Sequence, residues 1–184
     1  MPQFGPDIVL NQPAYIDDSA RLFGKITLEK DVSVWPNAVM RAEVHDIHIG
    51  EGTNIQDFVM IHVGTLTPTR VGKYCSITHH VTLHGCEIGD NCLIGINATV
   101  MDGVKIGNNC IVAGQAILTE GSEFPDNAII AGVPAKQVGS KDNSEANRIN
   151  AAFYIRNARN YQKGIYRLSD EDIAKAFSAT ELEQ

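Results

Sequence analysis

Long apolar runs are missing from this chain: no stretch approaches the ~18 consecutive apolar residues of a membrane-spanning helix. The first residues also lack the basic-then-apolar pattern of a secretory signal. Both absences point to a cytoplasmic protein with no membrane partner. Clustered cations are equally scarce. With 15 Lys and Arg against 22 Asp and Glu, the net charge is -7, and no basic patch stands ready to neutralise phosphates, which excludes nucleic acid as an expected partner. Cysteine is limited to four residues in 184, too little for a disulfide framework, so the core must be built from a regular apolar pattern instead.

That pattern has a period of six. From Ile88 an apolar residue returns as Ile94, Val100, Ile106, Val112, Leu118, Phe124 and Ile130. A mostly small residue follows each anchor by four positions, as at Cys92, Ala98, Val104, Cys110, Ala116, Ser122 and Ala128. The same beat runs earlier through Ile16, Leu22, Leu28, Val34 and Met40, then Ile49, Ile55 and Ile61, then Val71, Ile77 and Leu83. Insertions interrupt it after Met40 and Ile61, and one residue is missing after Leu83. Six suits neither a 3.6-residue helix nor a plain amphipathic strand, but it does suit short strands joined by corners. The reading is a parallel β-helix, three hexads to a triangular coil, in which no hexad buries its anchor alone. Gly50, Gly72, Gly89, Gly95 and Gly107, with Asn91, Asn97 and Asn109, are expected at corners that need unusual backbone angles.

The repeat ends near Pro134. From about Asn143 to Gln162 the spacing of Ile149, Ala152, Phe153, Arg156, Ala158 and Tyr161 becomes helical, and Ser169 with Asp172 resembles a capping box for a short last helix ending near Phe177. The expected organisation is a β-helix domain over residues 1–140 and a C-terminal helical extension over 141–184. Cys75, Cys92 and Cys110 share the small inward position and read as a buried thiol ladder rather than a ligand set. Cys86 lies outside that register.

Counting coils places the histidines. Met40, Ile61 and Leu83 stack, so the residues after them, Arg41, His62 and His84, form an outward column. Coils are ~4.8 Å apart, and two imidazoles at that separation can share one ion at ~2.0 to 2.1 Å from each nitrogen. His79 belongs to the preceding face, its Cα roughly 10 Å or more from that of His84 along near-extended chain. A cyclic trimer would bring the His62 and His84 face of one subunit against the His79 face of another. Asp57 is stacked under His79, where it could orient the second ring nitrogen. His80 is expected to face away from His79 along a strand, and His45 and His48 to lie on the surface of an insertion.

Two segments carry a family resemblance. Asn54-Ile55-Gln56-Asp57 followed by Ile61-His62-Val63, and Thr78-His79-His80-Val81-Thr82-Leu83-His84-Gly85-Cys86, resemble the ligand segments of γ-class carbonic anhydrases. Ile94-Gly95, Met101-Asp102-Gly103 and Gly132-Val133-Pro134-Ala135-Lys136 are similar too, over roughly Ala14 to Val138. The resemblance implies an all-β, left-handed parallel β-helix with a C-terminal helix, assembled as a homotrimer. It implies Zn²⁺, or Fe²⁺ or Co²⁺, held by His62 and His84 of one subunit and His79 of the next, with hydroxide generated there attacking CO₂ to give bicarbonate. Gln56 matches a glutamine that positions water or bicarbonate, Arg41 and Asp57 match members of an intersubunit ion-pair network, and Tyr154 aligns loosely with a tyrosine near the metal. Arg41-Ala42-Glu43 departs from the family's Arg-Gly-Asp. The insertion Gly64-Thr65-Leu66-Thr67-Pro68-Thr69-Arg70 lacks the proton-passing glutamates of some members. His80 is a candidate in their place, because imidazole exchanges protons near neutral pH. Two other functions share the architecture: acyl-coenzyme A transfer or thioester hydrolysis with a histidine base, and a noncatalytic trimeric scaffold that keeps a structural ion.

Overall fold

The computed structural model describes residues 4–176. Over most of that length, short strands stack by parallel pairing into a β-helix. Met40, Ile61, Leu83, Val100 and Leu118 pair in register on one face. Val34, Ile55, Ile77, Ile94, Val112 and Ile130 do so on the second, and Ile49, Val71, Ile88, Ile106 and Phe124 on the third. The first two sets are wholly buried. One apolar side chain per hexad thus feeds a single continuous core, and removing a buried Ile from it costs ~2–5 kcal/mol. Neighbouring coils are tied by backbone hydrogen bonds such as Met60 N–H to Val81 O at 2.9 Å and Thr82 N–H to Ala98 O at 3.0 Å.

The corners use two devices where one was expected. Asn91, Asn97 and Asn109 do take the left-handed conformation, at φ 57°, 60° and 58°. The glycines after the anchors do not. A Cβ on Gly50 would fall 2.6 Å from the backbone of Gly72, and one on Gly72 2.6 Å from the backbone of Gly89. Close approach of the next coil, not backbone freedom, excludes a side chain there.

Cys75, Cys92 and Cys110 stack inside the prism, free and wholly buried. Each thiol donates to a carbonyl of the adjacent coil: Gly89 at 3.1 Å, Gly107 at 3.1 Å and Pro125 at 3.2 Å. Cys86 is also buried, and desolvation pushes its thiol up to about 12, so it stays protonated and unreactive.

The interruptions of the repeat differ in kind. The insertion after Met40 is no loop; the strand Val39–Ile49 simply continues, pairing first with Met60–His62 and then with Thr69–Val71. The one after Ile61 is a compact loop closed by Gly64 N–H to Thr67 O at 2.9 Å. After the last coil, Ala135–Ser140 turns back antiparallel to Ala128–Gly132, a strand that the six-residue beat does not announce.

Helix α1 (Ser144–Gln162) lies on the face bearing Asn54 and Ser76. Its buried residues are Asn147, Ala151 and Ala158, so it docks through amides and small side chains rather than an apolar stripe. Asn147 donates to Asn91 O at 2.9 Å, and Asn150 accepts from Ser76 Oγ at 2.8 Å. At its C-terminal half Tyr154 and Tyr161 pack edge-on against Trp35, ring centres 5.7 and 4.8 Å away. Ser169 and Asp172 form the expected reciprocal cap of helix α2 (Asp170–Ala176), at 3.0 and 3.1 Å. Phe177, where that helix was expected to end, lies outside the described residues. No helix among the described residues is long and apolar enough to cross a membrane.

Candidate metal centre

His62 and His84 are register partners on adjacent coils, with Arg41 one coil below. Being outward on parallel strands, the two rings meet: their centroids are 5.0 Å apart, and His62 Nδ1 lies 3.0 Å from His84 Nε2. Each ring's other nitrogen touches a carboxylate, His62 Nε2 on Glu43 Oε2 at 2.9 Å and His84 Nδ1 on Asp102 Oδ2 at 2.9 Å. A carboxylate can only accept, so those nitrogens carry the protons. Two lone pairs are then aimed at one another across 3.0 Å, an arrangement that a cation between them relieves. Two ligands of a tetrahedral ion at ~2.0–2.1 Å stand about 3.3 Å apart, so the spacing suits such an ion.

Arg41 is paired with the opposite oxygen of Glu43. Burial alone would raise the Glu43 carboxyl, but its own backbone N–H, the His62 hydrogen bond and the Arg41 charge outweigh that and hold it below the usual carboxylate range. The longer Glu43 therefore still closes the ion pair expected of a shorter residue, and it grips a histidine as well.

His79 stands on the other side of a corner, its Nδ1 3.0 Å from Asp57 Oδ2 as coil counting required. Two apolar side chains are open to solvent on the neighbouring surface, Phe58 at 53% and Ile96 at 49% exposed, alongside the ionisable Asp57 and His80. His80 departs from expectation. It is a corner residue at φ 60°, not a strand residue, and stacks flat on Phe58 with ring centres 4.9 Å apart. His45 and His48 are engaged elsewhere, with Thr65 O and Glu29 at 3.1 Å each.

Within one chain the structure thus brings together His62, His84, Glu43 and Arg41, and separately His79 with Asp57. Among the described residues no three His, Cys, Asp or Glu side chains of a single chain gather to hold an ion, because Glu43 and Asp102 sit behind the imidazoles rather than between them. Gln56 is 2% exposed and donates to Asn54 Oδ1 at 2.9 Å. Tyr154 packs on Trp35; burial, with a smaller contribution from the Asp57 charge, raises its hydroxyl above the ordinary tyrosine value. Asp102 and Thr67 were not singled out from sequence. The signal was available: Gly85 and Asp102 continue the column registered at Leu83 and Val100.

Residues 85–120 match the family model described as "Bacterial transferase hexapeptide (six repeats)". A protein of Methanocaldococcus jannaschii named "Probable carbonic anhydrase" is 41% identical over 92 residues, 50% of this chain and 58% of that protein. "Gamma carbonic anhydrase 2, mitochondrial" of Arabidopsis thaliana is 31% identical over 105 residues, 54% of this chain and 38% of that protein. The chain spans about half the length of the curated relatives it matches. The solved structure of a hexapeptide transferase family protein from Anaplasma phagocytophilum superposes with a TM-score of 0.80 at 32% identity, covering 84% of this chain and 92% of that one.

Proposed function

The chain belongs to the hexapeptide-repeat family, with γ-class carbonic anhydrases among its sequence relatives, and on that premise we propose that it hydrates CO₂ reversibly to bicarbonate at a divalent-metal centre. The observation that carries the reading is the pair of imidazole nitrogens facing each other at 3.0 Å, each ring backed by a carboxylate. His62 and His84 of one subunit and His79 of a neighbour hold the ion in a homotrimer. The exposed Phe58 and Ile96 beside His79 supply apolar surface for that contact. Zinc, iron(II) and cobalt(II) all suit three imidazoles. Such an ion supplies Lewis-acid activation of water near neutral pH.

The remaining steps fall to the chain's own groups. Asp57 orients His79, and Glu43, paired with Arg41, accepts from His62 Nε2 and orients that ring. Gln56 positions water or bicarbonate through the amide atoms not committed to Asn54, while Tyr154 packs at the edge of the same corner. His80 carries protons outward, since the loop at residues 64–70 has no acid. A cytoplasmic location belongs to the same proposal, supported by four free, buried thiols.

Anaerobic purification followed by elemental analysis and a CO₂-hydration assay on one sample tests the reading. A metal-loaded, active trimer is expected. A loaded trimer without hydratase activity would assign a scaffold, and thermal stabilisation by coenzyme A in a metal-free, inactive protein would assign acyl transfer.

A further inference from the structure

We infer that Asp102, clamped by Thr67, is a positioning residue that dictates which nitrogen of His84 is turned toward His62. The role deepens the proposed function and rests on its choice of His84 as a ligand. Asp102 Oδ2 lies 2.9 Å from His84 Nδ1, while Oδ1 accepts the Thr67 hydroxyl at 3.2 Å. Both oxygens are therefore committed, and the carboxylate cannot rotate away without losing one partner. Because it only accepts, it fixes the proton on Nδ1 and leaves the Nε2 lone pair facing His62.

The surroundings are shaped for this pair. A Cβ on Gly64 would fall 2.0 Å from Asp102 Oδ1 and 2.2 Å from Thr67 Oγ1, and one on Gly85 would fall 2.2 Å from each. Two glycines from successive coils thus leave open the niche that carboxylate and hydroxyl fill. The base of the same loop is tied to both histidine coils: Thr69 Oγ1 donates to His62 O at 2.6 Å and accepts Gly85 N–H at 3.0 Å. The acid-free insertion acts as a brace for His84.

Asp102→Ala tests the role with a change of sign. With no acceptor left beside Nδ1, the proton moves to Nε2, where the facing His62 Nδ1 at 3.0 Å accepts it. Long-range ¹H–¹⁵N NMR of the full chain, freed of metal by chelator, should show His84 protonated on Nδ1 in the parent and on Nε2 in Asp102→Ala. Asp102→Glu, which keeps an accepting carboxylate, should retain Nδ1–H. Zinc affinity, measured by chelator competition, should fall about 10–100-fold in Asp102→Ala and less in Asp102→Glu. The same tautomer in parent and Asp102→Ala, or Nε2–H in the parent, would overturn the role. A tautomer that switches as described in a protein that binds no zinc would support Asp102's role and sink the metal reading alone.

Discussion

Two outward columns on one prism meet opposite fates. Asn54 and Ser76 lie under α1, where Asn54 donates to Ser76 Oγ at 3.0 Å and Ser76 to Asn150 at 2.8 Å. Every member there finds its partner inside the chain. No helix among the described residues covers Arg41, His62 and His84, and their column ends in two ring nitrogens facing each other at 3.0 Å. The repeat supplies both columns by the same register, so coverage decides which becomes packing and which becomes chemistry. A polar group sealed against water must be satisfied locally, whereas an open one can wait for a ligand or another subunit.

The sharpest way to break this contrast is to remove what both columns share. Ile77→Ala, in the core behind Ser76, should cost ~2–5 kcal/mol, lowering the urea midpoint and weakening metal retention together. His84→Ala should separate them: metal content falls by more than the ~10–100-fold typical of losing a supporting group, while circular dichroism and trimer mass hold, because the side chain lies outside the core. Ser76→Ala should do the reverse, leaving the Asn150 oxygen and one of the two Asn54 amide bonds without a partner for ~1–3 kcal/mol with metal stoichiometry unchanged.

The smallest effect is on pH. Tyr154 titrates above its ordinary value in the fold, through burial and then the Asp57 charge. Its contribution is fully present below the unfolded value near 10 and is lost as pH rises through that value toward the folded one. The urea midpoint should therefore fall between about pH 9 and 11, and fall less steeply in Tyr154→Phe. An equal slope in both proteins would place that loss elsewhere.

Much of this was legible in the sequence because a six-residue beat is a counting problem. The stacking of Met40, Ile61 and Leu83, the column of Arg41, His62 and His84, the approach of Asp57 to His79 and the thiol ladder all follow from register alone. What escaped was set by contacts between coils rather than along them. The glycines after the anchors looked like turn residues, but backbone proximity explains them. His80 was given a strand's alternation although it sits at a corner, and the helical spacing that located α1 did not identify its docking face, which runs through Asn147, Ala151 and Ala158. Asp102 was countable against His84 through the Leu83 and Val100 register, but its second partner, Thr67, sits in an insertion, where counting stops.

The glycine column at Gly50, Gly72 and Gly89 has one more consequence. A carbon added at these three positions would fall 2.6–2.8 Å from the backbone of the next coil, so successive turns close there to a spacing that leaves no room for a side chain. The height at which one imidazole rides above the next is that of the paired strands carrying them, and the bare glycine edge lets the far side of the prism keep step with it.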